Sequence, residues 1–221
     1  VNRVTRGCAA HGHPEFTLVY RDGRPLADPL LGWLEAFLVS AVEAGASFGP
    51  GDEVAVGSGT LRVALRDDGT LGLWEEVADG EWVERVDATL LLSWQHRAVA
   101  EGLGLPEGLS FADPEQHALV ASCADDAPLR VLLRAPSDDD DLSGHGLVCG
   151  EDHEHGPRRR VPLRALLRDP DLGRWLALPP GITVVLPGDP SGFRVYRDGR
   201  PLAPAPGSWL AAQRRPAGGR G

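Results

Sequence analysis

The spacing of apolar positions changes twice in the first half of the chain. A short apolar run at residues 16–20 ends in Arg21-Asp22-Gly23-Arg24-Pro25, where the Asp-Gly pair signals a turn. The spacing then becomes helical. Leu30, Leu34, Phe37, Leu38, Ala41 and Val42 fall on one face, Asp28 and Pro29 suit a helix start, and Gly45 suits its stop. From Glu53 the period is two: Val54 and Val56 alternate with Glu53 and Ala55, and Leu61, Val63 and Leu65 with Arg62, Ala64 and Arg66. Asp67-Asp68-Gly69 turns the chain back through Leu71, Leu73 and Glu75, which predicts an antiparallel meander with one wet face. A second helix is predicted from Asp87 to Gly102, carrying Leu90, Leu91, Trp94 and Ala98.

The second half repeats the alternation of strands and turns. Strands are predicted at 118–123, 129–134, 146–149, 182–186 and 193–196, with a short helix at 162–168 that stops before Pro170. The whole predicts an α+β fold: antiparallel sheets with two main packing helices and a short third helix, in two subdomains. Residues 1–13 are expected to be loose and 14–105 to form the first α+β unit. A linker is expected at 106–115, a second α+β unit at 116–203, and a disordered tail rich in Pro, Gly and Arg at 204–221. One nonapeptide, VYRDGRPLA, occurs twice, at 19–27 and 195–203. No fixed period extends the match, so convergence of two strand-turn segments explains it better than duplication of a domain.

Composition sharpens this picture. Lysine and methionine are absent, Asn2 and Ile182 are the sole members of their types, and Arg, Gly and Pro are abundant. This bias reads as a GC-rich coding sequence, so abundant arginine carries no functional weight. The net charge of -10 disfavours nonspecific nucleic-acid binding, which needs a cationic surface, and suits a cationic protein partner. No apolar run reaches the ~18–20 residues of a membrane span, and the first residues lack the apolar core of a signal peptide. Cys8, Cys123 and Cys149 are odd in number and widely spaced, which fits a reducing cytoplasm better than a disulfide framework.

Enzyme signatures are missing. There is no Walker loop and no GxSxG; Gly57-Ser58-Gly59 lies between strands with no helix after it. Ser122-Cys123 lies inside an apolar strand, so Cys123 reads as an inert core thiol and not a nucleophile. His145, Cys149, His153 and His155 are imidazole and thiolate donors within eleven residues, separated by three, three and one positions. Glu151, Asp152 and Glu154 among them suit a solvated hairpin, so neither a tight metal site nor a cofactor is expected, and a metal-binding sensor or accessory module is the alternative reading. Asp138, Asp139, Asp140 and Asp141 form the densest charge run and read as a solvated loop able to meet a basic partner. Arg158, Arg159 and Arg160 are expected to balance these acids.

From about 118 to 200 the chain shows an opening strand Leu119-Val120-Ala121-Ser122 and an Arg-bearing strand ending at Arg134. An acidic stretch ending in Ser143-Gly144, a further acidic patch at Glu151-Asp152 and the close Leu178-Pro179-Pro180-Gly181 follow. This order of features resembles immunity protein family 33 of bacterial polymorphic toxin systems, also called domain of unknown function 2185. The family has Ser-Gly-Trp where this chain has Ser143-Gly144-His145. The resemblance implies a small α+β domain that binds and neutralises a toxin without catalysis. On that reading Asp138, Asp139, Asp140, Asp141, Ser143, Gly144, His145, Glu151, Asp152 and Glu154 form the partner-binding side.

Overall fold

A computed structural model describes residues 1–21, 26–78, 80–105, 108–189 and 192–214. It is an α+β protein built on two mixed sheets, and the chain divides into two compact units, Val1–Trp94 and Gln95–Gly221. The division falls inside a helix and not at the Pro-bearing stretch 106–115. Leu90 of that helix belongs to the first core, while its Val99 and Ala100 belong to the second.

The first unit contains β1 (Asn2–Val4), β2 (Phe16–Val19), α1 (Ala27–Glu43), β3 (Glu53–Val56), β4 (Gly59–Leu65), β5 (Leu71–Ala78) and β6 (Glu81–Glu84). The helix α2 (Asp87–Gly102) begins in it. Its sheet runs β1-β2-β5-β4-β3, with β6 also on β5. All pairings are antiparallel except β2 with β5. α1 buries Leu31, Leu34, Leu38 and Val42, while Phe37 turns outward and stacks on Trp33 with ring centroids 5.8 Å apart. The predicted turn at 22–25 lies outside the described residues.

Two carboxylates organise this unit. Glu75 sits on the inward face of β5, only 2% exposed. It accepts hydrogen bonds from the Ala88 and Thr89 N–H groups and the Thr89 hydroxyl, and it pairs with Arg85 at 2.7 Å. It therefore caps the first turn of α2 with a full negative charge, where the helix dipole favours one. Glu15 orders the N-terminal segment, which is not loose as its lack of periodicity suggests. Its carboxylate accepts the Thr5 hydroxyl at 2.6 Å and the Gly7 and Ala9 N–H groups at 3.0 Å, the turn Cys8–His11 forms around it, and Cys8 is fully buried. Burial opposes the charge of Glu15, but the Thr5, Ala9 and Gly7 donors outweigh it and hold its pKa at about 2.

The second unit contains β7 (His117–Ala121), β8 (Leu129–Arg134), β9 (Leu142–Cys149), β10 (Arg158–Pro162), α3 (Leu163–Leu167), β11 (Ile182–Pro187), β12 (Arg194–Arg197), β13 (Arg200–Leu202) and α4 (Trp209–Ala212). Its sheet order is β10-β7-β9-β8-β11-β12-β13, with β7 and β9 parallel and every other pair antiparallel. The Arg cluster at 158–160, expected to be a charge-balancing stretch, is the edge strand β10. The expected tail does not begin at Pro204. Ser208 caps α4 by accepting the Ala211 N–H at 3.1 Å, Leu210 is fully buried in the second core, and the Ala205 N–H donates to the Gly102 carbonyl at 2.7 Å. Residues 215–221 lie outside the described set.

The repeated nonapeptide meets two fates. Its second copy forms the β12–β13 hairpin, where Asp198 and Gly199 take φ of 49° and 77°, the pair of positive values that a two-residue hairpin turn needs. Its first copy ends β2 at Val19 and opens α1 at Ala27.

Removing the Glu75 carboxylate leaves the α2 donors and the partly exposed Arg85 without their partner. Glu75→Ala should lower the stability of the first unit by about 2 kcal/mol, as leaving buried donors unsatisfied does. Denaturant unfolding followed by tryptophan fluorescence measures this; a loss below ~0.5 kcal/mol would mark Glu75 as dispensable.

Candidate metal centre

Four side chains converge at one end of the second sheet: Cys123, Cys149, His153 and His155, whose donor atoms all lie within 4.8 Å of one another. The convergence follows from topology. β9 ends at Cys149, and the chain must reach β10, which runs antiparallel on the far side of β7. Residues 150–157 therefore cross over the end of β7. Cys123 lies there, in the short turn Ser122–Ala124 that follows β7. The crossing loop carries His153 and His155.

Two of the donor separations match the edge of a tetrahedral zinc site. Cys123 Sγ is 3.5 Å and Cys149 Sγ 3.6 Å from His155 Nδ1, and Cys149 Sγ is 2.8 Å from His153 Nε2. Zinc bonds of ~2.3 Å to sulfur and ~2.05 Å to nitrogen give a tetrahedral S···N edge of about 3.5 Å. The first two separations match that edge and the third is tighter. Cys149 is buried, Cys123 and His155 half-buried, and His153 exposed, so an ion could enter from the loop side.

A thiol–imidazole pair can also be read as a nucleophile and its base. The surroundings argue against it. At Cys149 the Glu151 N–H favours the thiolate, but burial, the neighbouring Cys123 thiol and the Glu151 carboxylate outweigh it and raise the pKa. A bound cation removes this conflict, because coordinated thiols lose their protons.

The sequence places one ligand wrongly. His145 belongs to β9 but is only 3% exposed and is not part of the cluster. Its Nδ1 lies 3.0 Å from the Ser143 hydroxyl, which donates to the His117 carbonyl at 3.1 Å. Burial, with the Arg134 charge adding to it, lowers the His145 pKa to about 3. Cys123 takes the fourth place. It is half-buried and lies outside the core in which the apolar run suggests it, because the strand stops at Ala121 and the chain turns. One sequence signal was available: Cys123 and Cys149 each end a predicted strand, so pairing those strands side by side in parallel brings the thiols together.

The residues expected to bind a partner divide by place. Asp138, Asp139, Asp140 and Asp141 precede β9 and are exposed, whereas Glu151, Asp152 and Glu154 follow it on the crossing loop, also exposed. The two acidic groups thus sit at opposite ends of an eight-residue strand, roughly 26 Å apart at ~3.3 Å per residue. Arg160 bridges the first group, reaching Asp139 at 3.2 Å and Asp141 at 3.7 Å, and Arg159 pairs with Asp125. Ser143 and His145 are buried and offer no surface for a partner. Gly144 serves the backbone: its φ is 77°, and a Cβ there would stand 2.1 Å from the Ala135 carbonyl oxygen.

No family model matches the chain, and no curated protein and no solved structure matches it.

His145 and His96 share one behaviour. His96 is 1% exposed, binds the Gly173 carbonyl at 2.9 Å, and burial lowers its pKa to about 4. Both histidines fold neutral, and the unfolded chain takes up their protons near pH 6.5. Their contribution is therefore complete above about pH 6.5 and is lost as pH falls toward 4 and then 3. Denaturant midpoints measured in EDTA should fall between pH 6.5 and 5, before the carboxylates titrate. A midpoint unchanged across that window would show that these histidines already bind protons in the native state.

Proposed function

We propose that this chain is a non-catalytic zinc-binding protein in which Cys123, Cys149, His153 and His155 hold one Zn²⁺. The observation that carries this reading is the convergence of four thiol and imidazole donors within 4.8 Å, with two sulfur–nitrogen separations at the edge length of a tetrahedral zinc site. A mixed sulfur and nitrogen set suits zinc over magnesium or calcium, which prefer oxygen. Four protein donors leave no open position for a substrate, so the ion's task is structural. It ties the turn after β7, the end of β9 and the crossing loop into one corner, and it fixes the entry to β10. The free cysteines suit a reducing cytoplasm, and no helix among the described residues is long and apolar enough to cross a membrane.

The full chain purified without chelator should retain about one zinc per chain by elemental analysis, the fill of a single tetrahedral site. Cys123→Ser and Cys149→Ser should each lose it, and His145→Gln should keep it. Chelation should raise amide exchange across 150–162 while leaving the first unit unchanged. Zinc content indifferent to Cys123→Ser would overturn the assignment.

A second reading keeps the acidic loops as a binding surface for a cationic protein, as the family resemblance implies. Asp138, Asp140, Glu151, Asp152 and Glu154 are exposed, which favours it. The partner to test is the product of the gene beside this one. Replacing Asp138, Asp139, Asp140 and Asp141 by Ser should slow its association and flatten the salt dependence while leaving thermal stability nearly unchanged. An unaltered on-rate at low salt would mean that the loop is only solvated.

A further inference from the structure

Resting on the zinc reading above, we propose that Cys123 and Cys149 make this centre a peroxide-responsive switch that expels its metal by closing a disulfide. The argument starts from backbone placement. β7 and β9 are adjacent parallel strands; Cys149 ends β9, and Cys123 lies in the turn Ser122–Ala124 that directly follows β7. The two sulfurs, both free thiols, lie within 4.8 Å. They start close enough for side-chain rotation to carry them toward the ~2.05 Å of a disulfide bond.

Access sets the order of events. Cys123 is half-exposed and Cys149 buried, so an oxidant of the hydroperoxide class meets Cys123 first. The Cys123 thiolate attacks a peroxide oxygen, the O–O bond breaks and hydroxide leaves, giving a sulfenic acid. The Cys149 thiolate then attacks that sulfur, forming the S–S bond and expelling a second hydroxide. The two thiolates lose two electrons, hydrogen peroxide gains them, and two protons from solvent convert the hydroxides to two waters. Two imidazoles alone hold zinc poorly, so the ion departs. Cys8 takes no part, being fully buried in the first unit.

The two states differ in a defined way. With metal bound, four side chains fasten the corner. After oxidation the tie between the β7 turn and β9 persists as a disulfide, but His153 and His155 are released. The loop 150–157, with Glu151, Asp152 and Glu154, then loses its anchor. The switch thus converts an oxidant signal into freedom of one acidic loop, without dismantling the sheet.

The test uses the zinc-loaded full chain treated with a few equivalents of hydrogen peroxide. Released zinc is read with a chromogenic chelator, and the linkage by non-reducing peptide mapping. The expected result is release of one zinc per chain together with a Cys123–Cys149 linked peptide, reversed by dithiothreitol and fresh zinc. Cys8→Ser should behave as wild type. Zinc retained after the peroxide is consumed, or zinc lost with sulfinic acid at Cys123 and no linked peptide, would overturn the switch and leave the zinc site standing. A chain that holds no zinc at all would overturn both readings, and diamide treatment of that chain would still report whether the thiols can pair.

Discussion

β7 and β9 lie side by side and point the same way, while β10 returns on the outer edge of β7. A chain leaving β9 for β10 has to pass over the end of β7, and its length between the two strands is only residues 150–157. This short crossing brings together groups that sequence separates by up to 32 positions, from Cys123 to His155. It also fixes which end of the sheet carries chemistry. The opposite end, where Asp139 and Asp141 meet Arg160, becomes a place of charge balance. Edge strand β10 carries three exposed arginines, the kind of charged residue that blunts a sheet edge against pairing.

Charge is placed with equal economy in the first unit. Glu75 and Glu15 each gather donors that would otherwise be unsatisfied: the first turn of α2 for one, the N-terminal turn for the other. The N-terminal residues carry no apolar period, yet they are ordered because a few short polar contacts hold them. The buried histidines of the second unit work the other way. They are kept neutral by burial and contribute packing, not charge.

The sequence disclosed the elements more readily than their neighbours. Period-two and helical spacing located α1, α2 and most strands to within a few residues, because half-buried elements print their faces on the sequence. β1, β6, β10 and β13 escaped notice: they are short, polar or edge strands whose partners supply the pattern. Phe37 shares the apolar face by spacing yet is exposed, since the burial stripe of α1 runs through Leu31 and Leu34. At the Cys/His corner, the spacing of Cys149, His153 and His155 was visible because they are local. Cys123 was not, because only the parallel pairing of β7 and β9 makes it their neighbour. His145 was included because it is close in sequence, although β9 buries it.

Gly144 shows how such signals mislead comparison between chains. Its left-handed backbone and the Ala135 carbonyl beside it admit no side chain. Selection at this position acts on a bend and would act the same way whatever the protein binds. Two lineages with unrelated tasks but the same kink in a strand would both keep a glycine here, and a serine before it able to satisfy a carbonyl. A shared Ser-Gly pair therefore records common geometry. Descent or shared purpose has to be traced through positions free to vary, such as the exposed loop 150–157, where a change in sequence would be a change in what the surface offers.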